Sequence, residues 1–152
     1  MIFVTVGNGN FEELVKELDK LKAEKKINEE VMIQLGTGEY LPQHCRWFRF
    51  ESSLEKYYTP ADLVISHGGP GTVFELLRLG KRFIALPNRD RTDPQHQVEY
   101  LQAMAKETTA FIYCENVEFL QDALEKAKTH LFTKYQSPEC KIHLIIRDFL
   151  EK

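Results

Sequence analysis

The stretch ISHGGPGTVFELL, residues 65–77, decides how the chain is read. An apolar run ends in His67, three glycines and a proline follow within four residues, and Thr72-Val73-Phe74-Glu75 opens a helical pattern. A buried strand that stops at a glycine-rich turn and restarts as a helix is the building unit of a parallel α/β sheet. Ligands of such sheets bind in the crevice outside the carboxyl ends of the strands, which is where this turn would lie. Glycine lets the backbone approach a ligand closely. The first amides of a helix lack internal acceptors and carry the positive end of its dipole. Together these features make an anion site, most often for phosphate. A tight turn with no ligand is the plainer alternative, yet one glycine would suffice for that. Thr72 and Glu75 stay open between two readings. They fit a capping box, in which Thr caps the helix and Glu reaches back to the cap amide. They also fit a hydroxyl on phosphate and a carboxylate on sugar hydroxyls.

The rest of the chain continues the alternation. Short apolar runs predict strands at Ile2–Val6, Val31–Leu35, Arg46–Phe50, Asp62–Ser66, Phe83–Leu86 and Ala110–Tyr113. Helical spacing or end signals predict helices over Asn10–Lys25, Ser53–Tyr58 and Thr72–Leu79, the last closed by Gly80. Asp93-Pro94 reads as a cap with proline at the first helical position, opening a helix through Lys106. Asn116 is expected to cap a helix to about His130, and Ser137-Pro138 to open the last, with Ile142, Ile145, Ile146 and Phe149 on one face. That stripe is expected to pack on the chain's own sheet. Strands apolar on both faces belong to a covered parallel sheet. The expectation is one α/β domain, residues 1–152, doubly wound and Rossmann-like, with a helix over 137–152.

Composition sets the bounds. The 152 residues suit one domain with a sizeable core. A net charge of −3 offers no basic field to hold nucleic acid or an anionic membrane. No apolar run approaches the roughly 18 residues of a membrane span, and Met1-Ile2-Phe3-Val4 has no signal-peptide character. Cys45, Cys114 and Cys140 are odd in number and far apart, which argues for a reducing, cytoplasmic setting.

Other motifs fall away. No Gly-Lys-Ser/Thr run forms a phosphate loop of the Walker kind. Gly7-Asn8-Gly9 follows the first strand, but Glu12 stands where a dinucleotide fingerprint needs glycine, and Gln34 rather than an acid ends the second strand. A nicotinamide oxidoreductase is disfavoured on those grounds. His44-Cys45 has no sequence-near partner for zinc. No Asp-x-Asp occurs to hold a metal on a diphosphate, so neither metal nor cofactor is expected. Asp93-Pro94 places Gln95, His96 and Gln97 in a first helical turn, where free amides gather; such polar groups suit a hydroxyl-rich sugar.

VISHGGPGTVFELLRLGKRFIALP followed by DPQHQVEYLQAM, with the opening FVTVG, resembles the donor-binding half of the GT-B glycosyltransferases of family 28. It is most similar to a short subfamily that is this half alone. Members include the catalytic subunit of the eukaryotic dolichol-pyrophosphate GlcNAc transferase and PssE-like subunits of bacterial polysaccharide synthesis. The resemblance runs from Ile2 to about Leu124. It implies that His67, Gly68, Gly69, Gly71 and Thr72 face a donor diphosphate, with Gly7 and Asn8 lining it. It implies Glu75 on the ribose, the stretch around Phe50 against the base, and His96 and Gln97 on the transferred sugar. Relatives usually carry threonine where this chain has Asn8, which replaces a hydroxyl by an amide.

The resemblance implies inverting transfer from a UDP-sugar to a lipid-linked acceptor. Preorganised amides would stabilise the leaving diphosphate, and a general base must take the acceptor proton. No residue here is identified as that base. The expectation is that a membrane-anchored, acceptor-binding partner supplies it and holds this chain peripherally at the membrane. The alternative is a non-catalytic nucleotide-sugar-binding regulatory subunit.

Overall fold

The computed structural model describes residues 1–151, and Lys152 at the end of the predicted last helix lies outside them. Among the described residues six strands form one sheet: β1 (Ile2–Thr5), β2 (Val31–Gln34), β3 (Arg46–Phe48), β4 (Leu63–His67), β5 (Phe83–Leu86) and β6 (Ile112–Tyr113). Their order is β3-β2-β1-β4-β5-β6, and every pairing is parallel. The chain winds outward from β1 to β3, returns to lay β4 beside β1, and winds outward again. The order therefore reverses between β1 and β4, which are in register from Ile2 opposite Leu63 to Thr5 opposite Ser66.

The helices are α1 (Glu12–Ala23), α2 (Glu55–Tyr58), α3 (Pro70–Arg78), α4 (His96–Glu107), α5 (Leu120–Thr129) and α6 (Ile142–Leu150). Strand residues alternate between two faces. Ile2, Val4, Ile33, Ile65 and Ile84 pack with Leu14, Leu18 and Leu21 of α1 and Leu120 and Ala123 of α5. Phe3, Met32, Val64, Phe83 and Ala85 pack with Val73 and Leu76 of α3 and Leu101 and Met104 of α4. The sheet is thus covered on both sides, as its apolar strands require.

Several helix ends differ from expectation. Helix α3 starts at Pro70 with Gly69 as its cap, not at Thr72, and its cap makes no side-chain hydrogen bond. Proline's fixed φ suits the first helical position, so Thr72 and Glu75 become the third and sixth helical residues, and no capping box forms. Its far end behaves as expected: Gly80 has φ +64, its N–H donates to Leu77 O at 3.1 Å, and Lys81 N–H donates to Leu76 O at 3.1 Å. That is a Schellman closure. Helix α4 starts at His96 after Gln95 rather than at Pro94. The Asp93 carboxylate instead accepts from Gln95 N–H at 3.1 Å, forming an Asx turn ahead of the helix. Asn116 caps nothing with its side chain, since Arg89 donates to its Oδ1 at 2.9 Å; a 3-10 turn over Val117–Phe119 precedes α5.

The largest difference from expectation lies at the carboxyl end of the chain. Residues 131–141 are irregular, and α6 begins at Ile142 rather than at Pro138. None of its residues is buried. Ile145 is 67% and Phe149 78% exposed, so the apolar stripe does not pack on the sheet.

Candidate functional site

The carboxyl ends of β1 and β4 meet at the reversal of strand order, where open α/β sheets bind ligands. A cleft of about 470 Å³ opens there. Its walls come from Gly7 and Asn8 after β1, Gln34 at the end of β2, the segment from Phe50 to Leu54, and Tyr58 of α2. His67, Gly69, Pro70, Gly71, Thr72 and Glu75 complete it. A neighbouring hollow of about 620 Å³ across the β1–α1 loop is lined by four carboxylates, Glu12, Glu13, Glu39 and Asp90, against one cation, Arg89. Those carboxylates oppose an anion, whereas the first cleft receives the amino terminus of α3.

The glycines of the turn have separate reasons. A Cβ on Gly7 would stand 2.5 Å from Nε2 of His67, and a Cβ on Gly69 would stand 2.3 Å from the same atom. The two glycines make the slot that holds the imidazole. Gly7 also has φ +72, which side-chain-bearing residues rarely adopt. A Cβ on Gly68 would stand 2.7 Å from Leu101 Cδ1, so Gly68 admits α4 against the turn. Gly71 is different: a Cβ there would meet nothing within 4 Å. No neighbour requires that glycine, and its effect is to keep the space before the helix amides clear.

Buried amide side chains tie the loops of the cleft together. Gln34 Oε1 accepts from Thr5 Oγ1 at 2.8 Å and Val6 N–H at 3.2 Å. Its Nε2 donates to Gly7 O and Arg49 O, both at 2.9 Å. The residue that excluded a dinucleotide fingerprint thus shapes the β1 loop. Asn88 Nδ2 donates to Asn10 O at 2.6 Å, joining the β5 loop to the β1 loop. Gln97 is only 2% exposed, and its Oε1 accepts from Gly68 N–H at 3.0 Å and Asn88 N–H at 2.8 Å. The Gly68 amide is therefore spent on Gln97, and Gly68 does not line the cleft; the turn faces the cleft with Gly69 to Thr72. Gln34 and Asn88 carried no sequence signal beyond being polar at the ends of apolar strands.

His67 is buried, and burial first, then the nearby Arg91 charge, pushes its pKa down to about 4. It is a neutral imidazole at pH 7, with Nδ1 unpartnered among the described residues. It can donate or accept a hydrogen bond at the cleft but brings no charge. Tyr58 places an unpartnered hydroxyl at the cleft floor. Burial and then the Glu75 carboxylate raise its pKa well above the ordinary phenol range. Glu75 is half-buried on the cleft wall and makes no salt bridge within 4 Å among the described residues.

The structure brings together Gly7, Asn8, Phe50, His67, Gly69, Gly71, Thr72 and Glu75. His96 is exposed at the first position of α4, and neither it nor Gln97 lines this cleft. Among the described residues no three His, Cys, Asp or Glu side chains gather to hold a metal ion, and no helix is long and apolar enough to cross a membrane.

The family model for the glycosyltransferase family 28 C-terminal domain matches residues 1–147. The human UDP-N-acetylglucosamine transferase subunit ALG13 is 31% identical over 124 residues, 74% of this chain and 11% of that protein. Acinetobacter baumannii MurG superposes with a TM-score of 0.68 at 18% identity, over 99% of this chain and 49% of that one. A solution structure of ALG13 superposes with a TM-score of 0.61 at 17% identity, over 99% of this chain and 96% of that one. The chain thus spans about half of MurG and a small part of the human protein. A family match over nearly the whole length, joined to a cleft where strand order reverses, places this chain in the glycosyltransferase family 28 C-terminal domain family.

Proposed function

We propose that this chain is the donor-binding subunit of a two-component inverting glycosyltransferase that uses a UDP-sugar. The observation that carries the reading is the cleft between the Gly7-Asn8 loop and the start of α3, with Gly71 left open by its surroundings. The diphosphate lies against the free amides of Gly71 and Thr72, Glu75 takes the ribose hydroxyls, and the base rests near Phe50. His96 reaches the transferred sugar, and Gln97, whose oxygen is engaged, has only its amide nitrogen left to do so. The relatives named as UDP-N-acetylglucosamine transferase subunits make UDP-N-acetylglucosamine the first donor to test.

The word subunit in those names supports a partner, and so does the uncovered α6. We assign the acceptor site, the general base and the membrane tether to that partner, with a lipid-linked glycan as acceptor. Calorimetric titration of the chain with UDP, with and without EDTA, tests the donor half; binding is expected to survive chelation, and binding that vanishes would overturn the metal-free reading. Transfer should appear only on co-expression with the partner. A complex that binds donor and transfers nothing would favour the regulatory alternative.

A further inference from the structure

A nucleoside diphosphate brings at least two negative charges to this cleft, whose lining contains Glu51 and Glu75 and no lysine or arginine. Helix amides and dipole supply partial positive charge only. Nearby cations are mostly committed. Arg49 donates to Gly36 O at 3.2 Å and Gly38 O at 2.7 Å. Arg89 donates to Glu115 O at 3.0 Å and Asn116 Oδ1 at 2.9 Å. Lys56 pairs with Glu51 at 3.0 Å.

Arg91 is the exception. It is exposed and, among the described residues, makes no salt bridge within 4 Å although Asp90 and Asp93 are close in sequence. Its Nη1 stands 3.9 Å from where a Cβ on Gly9 would be, so the guanidinium reaches back over the β1 loop from the β5–α4 connection. Two turns fix the backbone on either side: Asp90 N–H donates to Asn88 Oδ1, and Gln95 N–H to Asp93 Oδ1, both at 3.1 Å. Its charge is also felt at His67.

We propose that Arg91 is the cation that binds the diphosphate of the donor and stabilises it as a leaving group, closing the Gly7–Asn8 side of the cleft. This rests on the nucleoside-diphosphate reading above. A guanidinium presents paired donors that match phosphate oxygens. In glycosyl transfer the bond between the anomeric carbon and the β-phosphate oxygen breaks, its electron pair stays on the phosphate, and the sugar bonds to the acceptor hydroxyl oxygen, whose proton passes to the partner's general base. A cation at the diphosphate gains interaction as that charge develops.

The test titrates the whole chain with UDP and with uridine, followed by NMR, for wild type, Arg91→Ala and Arg91→Lys. Arg91→Ala should weaken UDP by about tenfold to a hundredfold and leave uridine unchanged. Arg91→Lys should fall between, since it keeps the charge and loses the paired geometry. Added salt should weaken UDP binding less in Arg91→Ala than in wild type. Unchanged UDP affinity, or equal losses for UDP and uridine, would overturn the Arg91 assignment and leave the donor reading standing. A wild-type chain that bound no UDP would overturn both. Arg91 is exposed, so melting temperatures should match and exclude unfolding as the cause.

Discussion

Replacing Gln97 separates a sugar contact from a structural clamp. In Gln97→Ala the Gly68 and Asn88 N–H groups lose the oxygen they share at 3.0 and 2.8 Å, in a place where Gln97 is 2% exposed. A buried donor without an acceptor costs about 1–3 kcal/mol, so the pair costs roughly 2–6 kcal/mol. For a domain of this size each kcal/mol lowers Tm by about 2–4 °C, which gives a drop of about 4–24 °C. UDP affinity should fall as well, because Gly68 precedes the amides of α3 and Asn88 steers the β1 loop. Gln97→Glu should recover part of the stability, since its carboxylate can accept both N–H groups. Differential scanning calorimetry and titration with UDP and UDP-N-acetylglucosamine read all three effects. An unchanged Tm and UDP affinity, with only the UDP-sugar weakened, would refute the clamp and make Gln97 a sugar ligand.

Three further outcomes are expected. Glu75→Ala should leave Tm nearly unchanged, because no capping box exists, while UDP affinity falls about tenfold or more from the lost charge-assisted hydrogen bond; calorimetry with UDP checks it. His67 should make stability fall with acid. Its pKa drops from 6.5 to about 4 on folding, so the unfolded state binds more protons between those values. Stability is then full above pH 6.5 and declines toward pH 4 by roughly 2–4 kcal/mol; urea unfolding across that range, compared with His67→Asn, measures the slope. Lys25 has φ +58 at the end of α1, where its N–H donates to Lys22 O and Lys26 N–H to Leu21 O. Lys25→Gly should raise stability by about 1 kcal/mol, visible as a higher urea midpoint with unchanged slope.

The sequence by itself determined the alternation of six strands with helices, the parallel character of the sheet and the place of the glycine turn. These are local signals. Apolar runs four or five residues long, helical spacing in Leu14, Leu18 and Leu21, and glycines after Ser66-His67 depend on neighbours within a turn or two. Gly80 was legible for the same reason. Helix starts were less so, because Pro70 and Asp93-Pro94 each permit a start on either side of the proline, and the surrounding turn selects one.

Only the tertiary structure decided which residues each of these positions meets. Gly68 answers to Leu101, Gly7 to His67, Gly68 and Asn88 to Gln97, and Gly9 lies under Arg91. These partners are separated by 9 to 82 residues in sequence, and no periodicity links them. A glycine required by a neighbour and a glycine that no neighbour requires look alike in a sequence; Gly71 is distinguished only by the empty space around it. The α6 stripe makes the same point in reverse. Its spacing shows that one face seeks apolar contact, but whether that contact is the chain's own sheet depends on where residues 131–141 lead it, and they lead it away. Periodicity reports that a face must be covered, while the three-dimensional path of the chain decides by what.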